Sequence, residues 1–291
     1  MGACSDEPLQ ITVPGGCRLI VAAGDWPERP DPLSGLPERR AGDITATRTR
    51  PHIAADITIK GTPGAAGSPP GVLVLDGLLI SGAVTVEPGA LGALRIAHCT
   101  IAPPAGLTVG AGGAESTRNV LLEVELERTI CGPVDVTEFA SGVRLYESIL
   151  DGPVHAPDLE ATRCTLLDTT AARTIHASES IFSATLDAAR RQSGCVRYCW
   201  LPPGSRAPRR FRCQPADGAA VTPSFTSTTY GDPGYAQLSI ATPPEIARGA
   251  EDEGEMGAFG FLAQPRRMAD LRTQLDEYLR LGLEAGVFFV T

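Results

Sequence analysis

Three groups of side chains in this 291-residue chain have types and spacings that invite chemistry. The first is Glu127, Arg128, Glu147, Arg163 and Glu179, which share one corner if the repeat described below stacks. A polysaccharide-cleaving site needs two or three Asp or Glu converging on one face, or carboxylates holding a cation beside a basic residue. Here the sign alternates, which is the pattern of a solvated, self-compensating ladder. Asp151, His155 and Asp158 lie close together after one strand, but polar residues in a Pro-containing stretch are first of all a turn. No catalytic residue is assigned.

The second group is Cys195, Cys199 and Cys213. Zinc sites usually offer one pair of ligands spaced by two to four and then a second pair. The fourth ligand is missing locally, although Cys164 or His176 could supply it. Zinc, a disulfide and buried free thiols stay open, the last being the simplest, and neither a metal nor a cofactor is assigned. None of the four histidines has a Cys or Ser arrangement that suggests nucleophilic catalysis.

The third group is Arg190, Arg191, Arg197, Arg206, Arg209, Arg210 and Arg212. In an acidic chain such a cluster marks a docking surface for a carboxylate-rich partner, the chain's own Glu251 to Glu255 included, or a loop pinned by its own salt bridges. Gly110-Ala-Gly-Gly113 lacks the Lys and following helix of a phosphate-binding loop.

The elements that must position these groups follow from a recurring pattern: apolar residues around variable positions, then Ser or Thr, then an apolar residue. It reads Leu94 to Ile101, Val124 to Ile130, Val143 to Ile149, Leu159 to Leu166 and Ile175 to Ile181, with Leu73 to Ile80 a degenerate sixth. Measured on Ile80, Ile101, Ile130, Ile149, Leu166 and Ile181, the steps are unequal, which excludes a strict-repeat solenoid. They suit a coil whose short strands stay in register while the turns change length, and the longest step holds a Gly-rich loop from Gly110. Gly turns echo after the final strand at Ile80–Val84, Ile130–Val134 and Ile149–Val154. Period-two alternation points Ile96, Leu126, Leu145, Ala161 and Ala177 inward. Cys99 and Cys164 fall at one place in their repeats and read as packing residues.

Earlier strands are expected at Leu9–Val13, Cys17–Val21 and Ile53–Ile59, around a Pro-rich segment from Trp26 to Pro37. The expected fold is all-β: a right-handed parallel β-helix of the pectin-lyase-like type, with an irregular flank and one C-terminal α-helix. Its divisions are 1–52 (N-terminal strands and Pro-rich loop), 53–189 (coils), 190–263 (Arg/Pro-rich irregular flank with a strand at Cys195–Leu201 and an acidic linker at 251–255) and 264–291 (helix and apolar tail). The helix opens at Pro265, puts Met268, Leu271, Leu275, Tyr278 and Leu279 on one face and pairs Asp276 with Arg280. That face and the tail Val287 to Val290 need cover, from the coils themselves or from a protein partner or second copy.

Composition narrows the function. A net charge of −9 argues against nucleic acid, since phosphate neutralisation needs surplus Lys and Arg. There is no apolar run of spanning length, so no membrane insertion is expected, and no export signal is visible at the N-terminus.

Val74 to Ile80, Ala97 to Ile101, Arg128-Thr-Ile-Cys-Gly-Pro133 and Glu255 to Phe259 through Leu275 to Leu279 together resemble the C-terminal part of large bacterial right-handed β-helix proteins. Such proteins are found beside phage-tail-like, contractile-injection gene clusters. The resemblance implies a structural or surface-recognition role with a glycan or other cell-surface ligand, assembled into a particle-associated complex, and carries over no functional residue. The alternative is a polysaccharide lyase or glycoside hydrolase of the same superfamily.

Overall fold

The computed structural model describes residues 7–23, 50–110, 118–216, 220–262 and most of 270–283, together with the backbone of three short strands at Cys4–Ser5, Glu28–Pro30 and Pro37–Arg39. It is mostly parallel β-sheet, 43% strand against 6% helix. An 8-stranded sheet is built of two-residue strands, and a 15-stranded sheet bends back on itself in a nearly closed, barrel-like wall. The two are filled in rotation. Ile130–Cys131 enters the first, Val134–Val136 one limb of the second and Gly142–Tyr146 the other limb, after which Ile149–Leu150 starts again beside Ile130–Cys131. Each such set of strands is called a rung.

In the next two rungs the limbs are joined by single nine-residue strands, Val154–Thr162 and Thr170–Ser178, which pair over eight residue positions. The rungs also reach further than residues 53–189. Arg18–Ala22 pairs with Gly71–Asp76 at one end, and Gly194–Arg197 and Arg209–Phe211 add parallel strands at the other. The flank beginning at 190 therefore starts as sheet.

Alternation sets the core as expected. Ile96, Leu126, Leu145 and Ala161 are fully buried, Ala177 nearly so, and each lies directly beside the next across the limb. Val196 continues the column, and then Arg210 stands where every earlier rung has an apolar residue. Its side chain is exposed and Nη2 donates to the Ser205 carbonyl at 2.9 Å. A charge at an inward position ends the apolar column and blunts an open edge, because another strand laid there would have to bury it.

The corner after this limb repeats one backbone shape. His98, Arg128, Glu147, Arg163, Glu179, Tyr198 and Arg212 all have φ between 47° and 53°, in register with Gly77 in the preceding rung. Left-handed backbone is costly for residues with a Cβ and persists where its surroundings dictate it. Here the next residue dictates it, by turning a small polar side chain inward. Ser148 Oγ donates to the Tyr146 carbonyl at 2.7 Å and accepts the Thr129 N–H at 3.1 Å; Ser180 Oγ donates to Ser178 at 2.8 Å and accepts Cys164 N–H at 3.0 Å.

This corner corrects the repeat register by one residue. Thr100 pairs with Ile130, and Thr165 with Ile149 and Ile181, so the equivalents of Thr129, Ser148 and Ser180 are Cys99 and Cys164. A thiol fills the hydroxyl's place: Cys164 Sγ donates to the Thr162 carbonyl at 3.3 Å and Cys199 Sγ to Arg197 at 3.1 Å. The Gly echo has another cause, close approach of backbones. A Cβ at Gly82 would lie 2.3 Å from the Ala55 carbonyl, one at Gly132 2.2 Å from the Ala105 oxygen and one at Gly152 2.6 Å from the Pro133 nitrogen.

Residues 220–262 are not a free linker. They lie against the 8-stranded sheet, with Tyr235, Ala236 and Ala258 on Ile149, and Ile246 and Met256 on Ile181 and Trp200. Beyond them, residues 270–271, 273–275 and 277–278 are helical, as expected; on the expected apolar face Leu271 and Tyr278 are 39% and 86% exposed, while Leu275 and Leu279 are half-buried. The Trp26–Pro37 segment, most of the Gly-rich loop, Pro265, Met268, Asp276 and the tail at 287–290 lie outside the described residues, apart from the backbone of two short strands in the first. Among the described residues no helix is long and apolar enough to cross a membrane.

Candidate functional site: a charge-compensated groove

The outward residues of the longer limb form two columns. One runs Arg95, Glu125, Arg144, Glu160, His176, Cys195, Arg209; the other runs Ala97, Glu127, Tyr146, Thr162, Ser178, Arg197, Phe211. The left-handed corner stands beside the second as a third column. Between them lies an open groove of about 620 Å³, walled by Arg95, Glu127, Tyr146, Glu147, Arg163 and Arg197 among others.

Strand spacing brings opposite charges into contact throughout. Arg95 pairs with Glu127 and lies 3.3 Å from Glu125, although Nε is not aligned to donate a hydrogen bond there. Arg144 bridges Glu123 at 2.5 Å and Glu160 at 3.4 Å. On the corner, Arg128 Nε donates to Glu147 at 2.6 Å and Arg163 Nε to Glu179 at 2.6 Å, while Arg163 also approaches Glu147 at 3.9 Å. The Glu127 hydrogen bond holds the Arg95 guanidinium above its usual pKa against the opposing effect of burial, and Glu179 does the same for Arg163. Burial, then Glu160, raises the Tyr146 phenol. The five corner residues singled out in the sequence thus converge, and as an alternating ladder.

The other candidates separate. Asp151 accepts the Tyr235 hydroxyl at 2.8 Å, and His155 is exposed on the shorter limb beside Asp135. Asp158 binds Arg173 and Thr174; burial pushes its carboxyl up, but those hydrogen bonds outweigh it and leave the pKa lowered. They form no common site. Cys195, Cys199 and Cys213 are thiols, Cys199 buried with its pKa pushed well up by that burial. Among the described residues no three His, Cys, Asp or Glu are placed to hold a metal ion.

The arginine cluster divides as well. Arg206 pairs with Asp187 at 3.5 Å, and Arg212 lies over the rings of Tyr198 and Phe211. From the acidic segment, Asp252 reaches Arg163 at 3.6 Å, outside the cluster; Arg212 lines a shallow cavity with Glu251 and Glu253.

One alignment escaped the sequence. Glu160, His176 and Cys195 are successive register partners on one face and line a second hollow of about 310 Å³ with Thr162, Ser178 and Arg197. Only the lengths of the intervening rungs would have revealed it.

Comparison with family models, with curated proteins and with solved structures finds no match for this chain.

Proposed function

We propose that the chain is a right-handed parallel β-helix acting as a non-enzymatic structural or surface-recognition element, whose groove side meets a glycan or other cell-surface ligand. Rotational filling of parallel sheets supports the solenoid, and the strong right-handed preference of parallel crossovers supports its hand. The observation that carries the functional reading is the pairing of groove carboxylates with arginines. A glycosidase needs one carboxyl free to donate a proton and another free to attack or activate water. Glu123, Glu125, Glu127, Glu147, Glu160 and Glu179 are all held in ion pairs. Such a face, with Tyr146 between charged pairs, suits hydrogen-bonded recognition of a polar surface. The resemblance stated above favours a component of a phage-tail-like particle.

The test joins glycan-array binding to an assay for reducing-sugar release from acidic polysaccharides. Binding without release supports recognition. Release that disappears when Glu125 and Glu127 are replaced by Gln establishes the lyase or hydrolase alternative instead.

A further inference from the structure

We propose that Cys195 is a reactive thiol, primed by His176, that forms a mixed disulfide with small anionic disulfides. The proposal rests on the placement of the column and is independent of the recognition reading. Cys195 is partly exposed on Gly194–Arg197, and its register partner on Thr170–Ser178 is the exposed His176. Parallel strands set such partners about 4.8 Å apart, so the imidazole and thiol need only side-chain rotation to share a proton. Glu160 follows His176 on Val154–Thr162, in place for its carboxylate to orient the ring by a hydrogen bond. On the other side Arg209 is the register partner of Cys195, and Arg197, which donates to Ser178 Oγ at 3.2 Å, shares its hollow.

A further titratable neighbour is Cys213. Its thiol donates to the Val196 carbonyl at 3.3 Å, and burial raises its pKa, which keeps it protonated and out of competition. Cys99, Cys131, Cys164 and Cys199 are buried. Cys195 alone among these thiols combines access with a register-partner imidazole and two neighbouring arginines, a setting that offers a base to the thiol and a positive surface to an anionic reagent.

The step is a thiol–disulfide exchange. His176 takes the Cys195 proton; the thiolate attacks one sulfur of the reagent, forming a protein–reagent S–S bond as the reagent's own S–S bond breaks. The departing thiolate takes the proton, so one half of the reagent stays bound to Cys195 in the mixed disulfide and the other half leaves as one equivalent of free thiol.

The test uses the folded full chain and two disulfides, anionic glutathione disulfide and cationic cystamine, with the modified residue located by peptide mass mapping. Expected at pH 7 is attachment at Cys195 about tenfold faster than at the exposed Cys17, with the anionic reagent preferred. H176Q should remove most of that advantage at pH 7 and little of it at pH 9, where hydroxide stands in for the imidazole as base. R197Q/R209Q should abolish the reagent preference. Circular dichroism of each variant checks that the sheet persists. Attachment at Cys195 no faster than at Cys17, or a rate unmoved by H176Q in a folded variant, overturns the proposal.

Discussion

Arg163 Nε lies 2.6 Å from Glu179 Oε2, and both residues occupy the same left-handed corner in adjacent rungs. Glu179 is 6% exposed, so the pair is a structural tie, unlike an open surface ion pair. Replacing Arg163 by Met should cost about 3 kcal/mol, because it removes the cation from a buried carboxylate and leaves it only the Glu251 N–H at 3.4 Å. The double variant R163M/E179Q should recover much of that loss. Urea unfolding at pH 7 checks both, and equal destabilisation of single and double variants would count against the tie.

The inward corner column makes a prediction of its own. S148A deprives the buried Thr129 N–H of its acceptor and should cost about 1–3 kcal/mol. S148C should cost distinctly less, since Cys164 and Cys199 already fill this place in other rungs. Thermal unfolding of the two variants side by side decides it.

Close approach of rungs at Gly132 leaves no room for a methyl group. G132A should lose about 2–3 kcal/mol, whereas at Gly110 the nearest atom is 3.4 Å from a built Cβ and G110A should cost much less. Similar losses for the two would mean that the rungs do not stack this tightly.

Burial pushes the Glu255 carboxyl up to about 7. An acid whose pKa is raised on folding keeps its proton longer in the folded state, so between about 4.5 and 7 the unfolded chain holds fewer protons and stability falls as pH rises. Below about 4.5 the penalty is absent; above about 7 it is complete, on the order of 3 kcal/mol. E255Q should therefore unfold at higher denaturant than the parent at pH 8 and at nearly the same concentration at pH 4.5. A parent-to-variant difference that does not change with pH contradicts this.

What the sequence disclosed follows from the range of each interaction. Ile96, Leu126 and Leu145 were legible as core because alternation is local, and Arg128, Glu147, Arg163 and Glu179 as a charge ladder because each sits just past the end of its strand, with Glu127 one residue earlier on the strand itself. Thr100 misled by one residue, since a Thr beside Cys99 looks like the repeat's hydroxyl although the thiol holds that place. The rung ending at Phe211 was hidden because Arg210 breaks the apolar pattern where the column stops. The layer over the short sheet was illegible because contacts such as Tyr235 with Asp151 join residues far apart in sequence. Glu160, His176 and Cys195 become neighbours only once the rung lengths are known.

The proposed recognition by the groove requires one continuous outward column from Arg95 to Arg209. The most direct test is the distance between spin labels at Arg144→Cys and Arg209→Cys, with Cys17, Cys195 and Cys213, which are not buried, replaced by Ser. Glu160, His176 and residue 195 intervene, so four strand spacings give about 19 Å, and a narrow distribution centred there is expected. A broad distribution, or one centred beyond about 30 Å, contradicts the stacked column, since in-register strands cannot stand that far apart over so few rungs.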